Sequence, residues 1–283
     1  MRTIQWSLVL FTILFIPPLG IHAFAQPSHQ WPRKAFLGFD RNDYPGDANL
    51  QSLRRTFSFI GYWLNVPPGA QSNSWLGKRA LLRQGGFGFL VLFNGRMDAE
   101  LKKVHDPAAL GRTDAESAIA SARREGFHPG TVIFLDQEEG GRMLPEQRAY
   151  IHAWVDGVNH AGFRAGIYCS GIAAPEGNGV NVITAEDIRR NAGARKIVFW
   201  VTNDGCPPSP GCALPDKTPS PASSGVDFAE VWQYAQSPKR RDFARGCSNY
   251  HADNNCYPPD LKSKGVFVDL NSALSADPSS GRQ

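Results

Sequence analysis

With 283 residues, 42% hydrophobic and 20% charged, the chain can bury a full core and suits one large α/β domain or two small ones. A formal net charge of +4 mildly favours an anionic polymer such as a cell wall and is too small to argue for nucleic acid. Lys239-Arg240-Arg241 is a short run that reads as a solvated loop, with no basic stripe of interleaved aromatics around it.

In chain order, Arg2 precedes an apolar run, Trp6 to Ile16, which Pro17, Pro18 and Gly20 break. Ala23-Phe24-Ala25 follows as an A-x-A cleavage site, so residues 1–25 are expected to be a signal peptide; an uncleaved anchor is the alternative. No later stretch is long and apolar enough to cross a bilayer, which predicts an exported protein, periplasmic or secreted, without stable membrane insertion.

Strands are predicted at Ala35–Phe39, Phe59–Trp63, Phe87–Phe93, Thr131–Leu135, Arg164–Cys169, Lys196–Val201, Glu230–Ala235 and Val266–Leu270. They are nearly continuous apolar runs, as parallel strands covered on both faces are. Helices are predicted between the first six, at Asp47–Thr56, Ser74–Arg83 behind a capping Ser74, Asp114–Arg124, Pro145–His160 and Thr184–Asn191. Thr184 and Asp187 approximate a capping box. The later connections, Gly205–Val226 and Ser237–Gly265, are rich in Pro, Ser, Asn and Cys and lack helical periodicity. The pattern predicts an α/β fold, a TIM-like β/α barrel of eight strands over residues 26–275 with reduced helices in its C-terminal part. A doubly wound open sheet is disfavoured, because no glycine-rich phosphate loop follows the first strand. Residues 276–283 read as a disordered tail.

Of five cysteines, Cys206 with Cys212 and Cys247 with Cys256 flank the two long insertions and are expected to form local disulfides in an exported protein. A metal site is the weaker alternative: the spacings are not those of zinc knuckles, and no metal or cofactor is expected. Cys169 ends a strand and reads as a buried free thiol.

In a parallel barrel, functional groups sit at the C-terminal ends of strands. Here three apolar runs each end in an acid: Asp40, Asp136 and Asp269. Glu138 lies two residues beyond Asp136, on the same face of an extended chain and about 6.6 Å away at ~3.3 Å per residue. Burial and like charge raise the pKa of one member of such a cluster while another stays ionised. A protonated Glu beside an ionised Asp is what hydrolysis of a glycosidic bond requires. Tyr62, Tyr168, Trp200, Trp232 and Tyr234 are candidate sugar contacts near strand ends, Trp232 and Tyr234 foremost, and most of these rings are equally suited to filling the barrel. Asn94, Asn203 and Asp204 are candidate hydrogen-bonding groups for sugar hydroxyls. Glu139 reads as a solvated loop acid.

Seven motifs in order carry a resemblance: Gly38-Phe39-Asp40, Phe59-Ile60-Gly61-Tyr62-Trp63-Leu64, Asp136-Gln137-Glu138, Gly166-Ile167-Tyr168-Cys169-Ser170, Phe199-Trp200-Val201, Val231-Trp232-Gln233-Tyr234 and Val268-Asp269-Leu270-Asn271. Together they resemble glycoside hydrolase family 25, the lysozymes that cleave bacterial peptidoglycan, and more closely the glycoside-hydrolase-like domains related to it. The resemblance implies a barrel that has lost its later helices. It implies Glu138 as general acid, Asp136 as the partner that orients or stabilises, and Asp40 and Asp269 as flanking acids. The cysteine-bearing insertions depart from the lysozyme pattern. The expectation is a monomeric glycosidase acting on peptidoglycan or a related amino-sugar polymer; the alternative is a carbohydrate-binding protein that reuses the barrel mouth without catalysis. Ester or peptide hydrolysis is disfavoured, because neither Gly-x-Ser-x-Gly nor His-Glu-x-x-His occurs.

Overall fold

Apolar strand runs alternate with amphipathic helices, and the sheet that they build closes on itself. The computed structural model describes residues 34–205, 218–240 and 250–283. The signal-peptide segment lies outside the described residues, as do Cys206, Cys212 and Cys247. Five strands come first: β1 (Phe36–Asp40), β2 (Phe59–Trp63), β3 (Gly88–Asn94), β4 (Val132–Asp136) and β5 (Arg164–Ser170). A separate antiparallel hairpin, β6 (Ala173–Pro175) and β7 (Asn181–Ile183), follows, and then β8 (Val198–Thr202), β9 (Val231–Ala235) and β10 (Asp269–Ala273). All but the hairpin strands form one closed barrel, β1-β2-β3-β4-β5-β8-β9-β10 and back to β1.

Helices α1 (Leu50–Thr56), α2 (Arg79–Gln84), α3 (Asp98–Leu101), α4 (Pro107–Arg124), α5 (Pro145–His160) and α6 (Thr184–Asn191) connect the strands up to β8. Among the described residues no α-helix follows α6, as the polar composition of the later connections predicts. No helix among them is long and apolar enough to cross a membrane. The α4 helix starts earlier than its periodicity suggests, because Asp106 caps it: its Oδ1 accepts the Ala109 N–H at 2.9 Å, with Pro107 in the first turn. The α2 helix starts later than predicted, at Arg79. Ser74 does not cap it; its Oγ instead accepts the Tyr44 N–H at 2.9 Å. Thr184 and Asp187 likewise do not close a capping box. The Thr184 hydroxyl donates to the Gly141 carbonyl and Asp187 accepts the Met143 N–H, so both tie α6 to the loop that follows β4.

The expected all-parallel barrel needs one correction. β10 runs antiparallel to both of its neighbours, β1 and β9. Asp269 therefore opens its strand instead of ending one, yet it lies directly opposite Asp40 in the pairing register. A reversed strand puts its first residue at the mouth where the parallel strands put their last.

The barrel centre is filled by large rings facing glycines. A Cβ at Gly38 would lie 2.2 Å from the Phe59 ring, and one at Gly166 would lie 2.4 Å from the Phe134 ring. Gly38→Ala is therefore expected to cost about 1–3 kcal/mol by overpacking, read as a lower midpoint in urea denaturation.

The segment after Ser275, expected to be disordered, is built into the base of the barrel. Ser279 is fully buried; its N–H donates to the Phe89 carbonyl and its carbonyl accepts the Val132 N–H, both at 2.9 Å. Its hydroxyl oxygen accepts the Val91 N–H, and Asp277 accepts the Phe89 N–H. The segment thus satisfies backbone groups of β3 and β4 below the point where those strands begin to pair with each other, at Val91 and Ile133.

Candidate active site

Side chains that point into the barrel are identified by bonds that skip a strand. The Gln233 amide on β9 donates to Asp40 Oδ1 on β1 at 3.0 Å, past β10. Trp200 Nε1 on β8 donates to Asn271 Oδ1 on β10 at 2.9 Å, past β9. The Tyr168 hydroxyl on β5 donates to Gln233 Oε1 at 2.8 Å, past β8. Asp136 is in register with Tyr168 and so shares its side of the sheet. Asp269 and Asp40 face each other across β1 and β10 at the close spacing of an antiparallel pair, ~4.5–5.5 Å between Cα atoms. All of these groups lie at one mouth.

The carboxyls there perturb one another. Asp40 is 5% exposed and Asp136 6% exposed. Burial raises Asp40 from 3.8 to about 6, opposed by the amide donors of Asn271 (2.6 Å) and Gln233. Asp136 is held well above the usual carboxylate range, first by burial and then by the charges of Glu138 and Asp40. Its Oδ1 is buried and bonds to nothing among the described residues. Asp269 is raised by burial and by Asp40, while the Ser237 N–H, 2.5 Å from its Oδ1, opposes the rise. Glu138 stands on the exposed rim beyond β4, and partial desolvation raises it too. Glu138 and Asp40 thus act on Asp136, and Asp40 acts on Asp269, so the charges of these acids reach one another across the mouth.

Sequence patterns did not reveal the side chains that support these acids. Gln233 is their hub: it donates to Asp40 while its Oε1 accepts from Tyr168, Thr202 (3.1 Å) and Gln236 (3.0 Å). Asn271 passes the Trp200 N–H on to Asp40 in the same way. Glu139, expected in solvent, is a clamp: its Oε2 accepts the Asp98 N–H at 2.8 Å and the Gln147 amide at 2.6 Å. It fixes the loop that carries Glu138 to α3 and α5.

The candidate sugar contacts divide. Tyr168 and Trp200 face inward but are buried, bonded as above and packed ring on ring at 4.5 Å, so they form the floor of the mouth. Trp232 and Tyr234 flank the inward Gln233 and therefore point outward; both are buried, and the Trp232 N–H donates to the Asn203 carbonyl. Tyr62 also points outward, bonded to Glu125 and packed among Trp75, Phe89 and Phe127. Alternation along β2 and β9 turns these three rings away from the mouth. Asn94 donates to the Val66 carbonyl and Asn203 to the Ser224 carbonyl, which fix loops. Asp204 is paired with Arg240 through both oxygens, at 2.7 and 3.0 Å.

Of the four cysteines expected in disulfides only Cys256 is described: it is a buried thiol packed in the core, unbridged among the described residues, its pKa pushed up to about 12 by burial and by Asp269, and its expected partner Cys247 lies outside the described residues. Cys169 is buried and free, as read from its strand position. Among the described residues no group of three or more His, Cys, Asp or Glu side chains is placed to hold a metal ion.

Residues 60–185 match the family model described as "Rv2525c-like, glycoside hydrolase-like domain", a segment that carries Asp136 and Glu138. Two solved structures share the fold. An uncharacterized B. stearothermophilus protein is 23% identical, with 84% of this chain and 95% of that one covered and a TM-score of 0.55. The Mycobacterium tuberculosis Tat-secreted protein Rv2525c, in complex with HEPES, is 15% identical, with 88% and 98% covered and a TM-score of 0.51. Among curated proteins none matches the chain.

Proposed function

We propose that this protein is an exported glycosidase that hydrolyses peptidoglycan or a related amino-sugar polymer by carboxylate acid/base chemistry. The observation that carries the reading is the gathering of Asp40, Asp136 and Asp269 at one barrel mouth with Glu138 on its rim. Glu138 is the general acid: it is exposed on the rim, where a leaving oxygen can reach it, and its proton affinity is raised. Asp40, at about 6 and bonded by two amide donors, is an anion at neutral pH and faces the positive charge that develops on the sugar. Asp136 offers the substrate a buried oxygen that bonds to nothing among the described residues, suited to accept the N–H of an acetamido group. Export rests on the leader-like first 25 residues and is in keeping with the Tat-secreted Rv2525c.

The test is incubation of the mature protein with purified peptidoglycan and measurement of new reducing ends. The parent is expected to release them. Glu138→Gln is expected to slow release by about 100- to 10,000-fold, the usual worth of general acid catalysis, with an unchanged circular dichroism spectrum. A Glu138→Gln protein as active as the parent would remove the assignment. Retention of the glycan with no new ends would make the mouth a binding site only.

A further inference from the structure

Two amides converge on one oxygen of Asp40. Gln233 Nε2 donates to Oδ1 at 3.0 Å, and Asn271 Nδ2 donates to the same atom at 2.6 Å. Neither amide is at liberty to turn over. The Trp200 indole can only donate, so the Asn271 oxygen must face it and the Asn271 nitrogen must face Asp40. Gln233 Oε1 is taken by the Tyr168 and Thr202 hydroxyls and by the Gln236 amide, which leaves its nitrogen for Asp40. Both amides are buried, so turning either would set an amide oxygen against a carboxylate and strand donors behind it.

The other oxygen is placed differently. Asp40 Oδ2 accepts no hydrogen bond from another described residue, and it is not sealed from solvent, so it is the oxygen open to the mouth. β2 leaves a seat for the side chain: a Cβ at Gly61 would lie 2.6 Å from Asp40 Cβ, so only glycine there lets the carboxyl settle this close. The titratable groups set around Asp40 are Asp269 from β10, Asp136 from β4 and Tyr168 from β5, each held toward its neutral form by burial. β2 and β9 turn their tyrosines outward, Glu138 stands beyond Asp136 on the rim, and Arg41, next along the chain, interacts with Asp43 and Asp269.

We infer that Gln233 and Asn271 are positioning residues: they clamp Asp40 by Oδ1 as an anion and leave Oδ2 as the single oxygen that meets the substrate. The inference rests on the sugar-site reading above. It deepens that reading by naming the atom of Asp40 that faces the developing charge and the groups that hold it there.

Gln233→Met and Asn271→Leu each remove one donor and keep the bulk. In the parent, kcat/KM on soluble peptidoglycan strands should rise with pH as Asp40 ionises, with a midpoint at about 6. Each variant should move that acid limb up by about one to two pH units, the worth of one charge-assisted hydrogen bond, and leave the basic limb, set by Glu138, in place. Activity lost at every pH with an unmoved acid limb, in a variant folded by circular dichroism, overturns the inference, since the amides would then only hold the fold. Nuclear magnetic resonance of protein isotopically labelled at its aspartate carboxyls reads the clamp without activity, with Asp40→Asn, Asp136→Asn and Asp269→Asn assigning the signals. As pH rises, Asp40 should ionise before Asp136 and Asp269. Asp40 ionising after either of them overturns the inference, even if neither amide variant folds. A parent that releases no reducing ends removes the glycosidase reading, while the order of ionisation still decides the clamp.

Discussion

The Asp136→Asn protein should be more stable than the parent at neutral pH. Burial and two neighbouring acids hold Asp136 well above its ordinary 3.8, so the folded protein keeps a proton there that the unfolded chain releases. Between those two values the folded state binds more protons, and stability falls as pH rises. Asp40 adds to the slope over 3.8 to about 6, worth roughly 3 kcal/mol that is fully present below the lower value and gone above the upper. Asparagine has the same shape and no proton to lose. The gap in melting temperature between variant and parent should therefore be near zero at acid pH and widen towards neutrality. A variant less stable than the parent at neutral pH would show that the fold needs the Asp136 anion, the opposite of the expected sign.

Removing residues 276–283 should lower the melting temperature by about 10 °C or more. The truncation leaves Phe89 N–H, Phe89 C=O, Val91 N–H and Val132 N–H without the partners that Asp277 and Ser279 supply. Each buried group left unpaired costs about 1–3 kcal/mol, so the total approaches the ~5–15 kcal/mol by which a domain is stable at all. Arg282 and Arg79 lose bonds as well: Arg282 donates to the Gly86 and Phe87 carbonyls, and the nearly buried Arg79 donates to the Gly281 and Gln283 carbonyls. Thermal unfolding followed by circular dichroism reads the change. A truncated protein that melts with the parent would mean that the segment merely rests on the barrel.

Asp40, Asp136 and Glu138 were legible because each follows an apolar run, and the barrel expectation then assigns the ends of such runs to the mouth. Asp269 reached the right mouth by a wrong route. Val266–Leu270 looks like the strand, but the strand is Asp269–Ala273, whose inward Asp269 and Asn271 give it a loop-like composition. No local pattern states a strand's direction. The aromatic contacts failed on parity: in Val231–Ala235 the single polar side chain, Gln233, is the one facing in, and taking it as the inward residue would have turned Trp232 and Tyr234 outward. The closing segment reads as disordered because Pro278-Ser279-Ser280-Gly281 is polar. What orders it is the unmet backbone of β3 and β4, which no side-chain pattern displays.

The reversed β10 also fixes the polarity of the whole barrel. β9 ends and β10 begins at the mouth, so the connection between them leaves from and returns to the same face, and residues added there would remodel the cleft rim without disturbing the opposite end. β10 then carries the chain down to the base, where Gln283 is exposed. A tether or solid support joined after Gln283 would accordingly hold the barrel upright, with its cleft turned outward to meet an insoluble polymer.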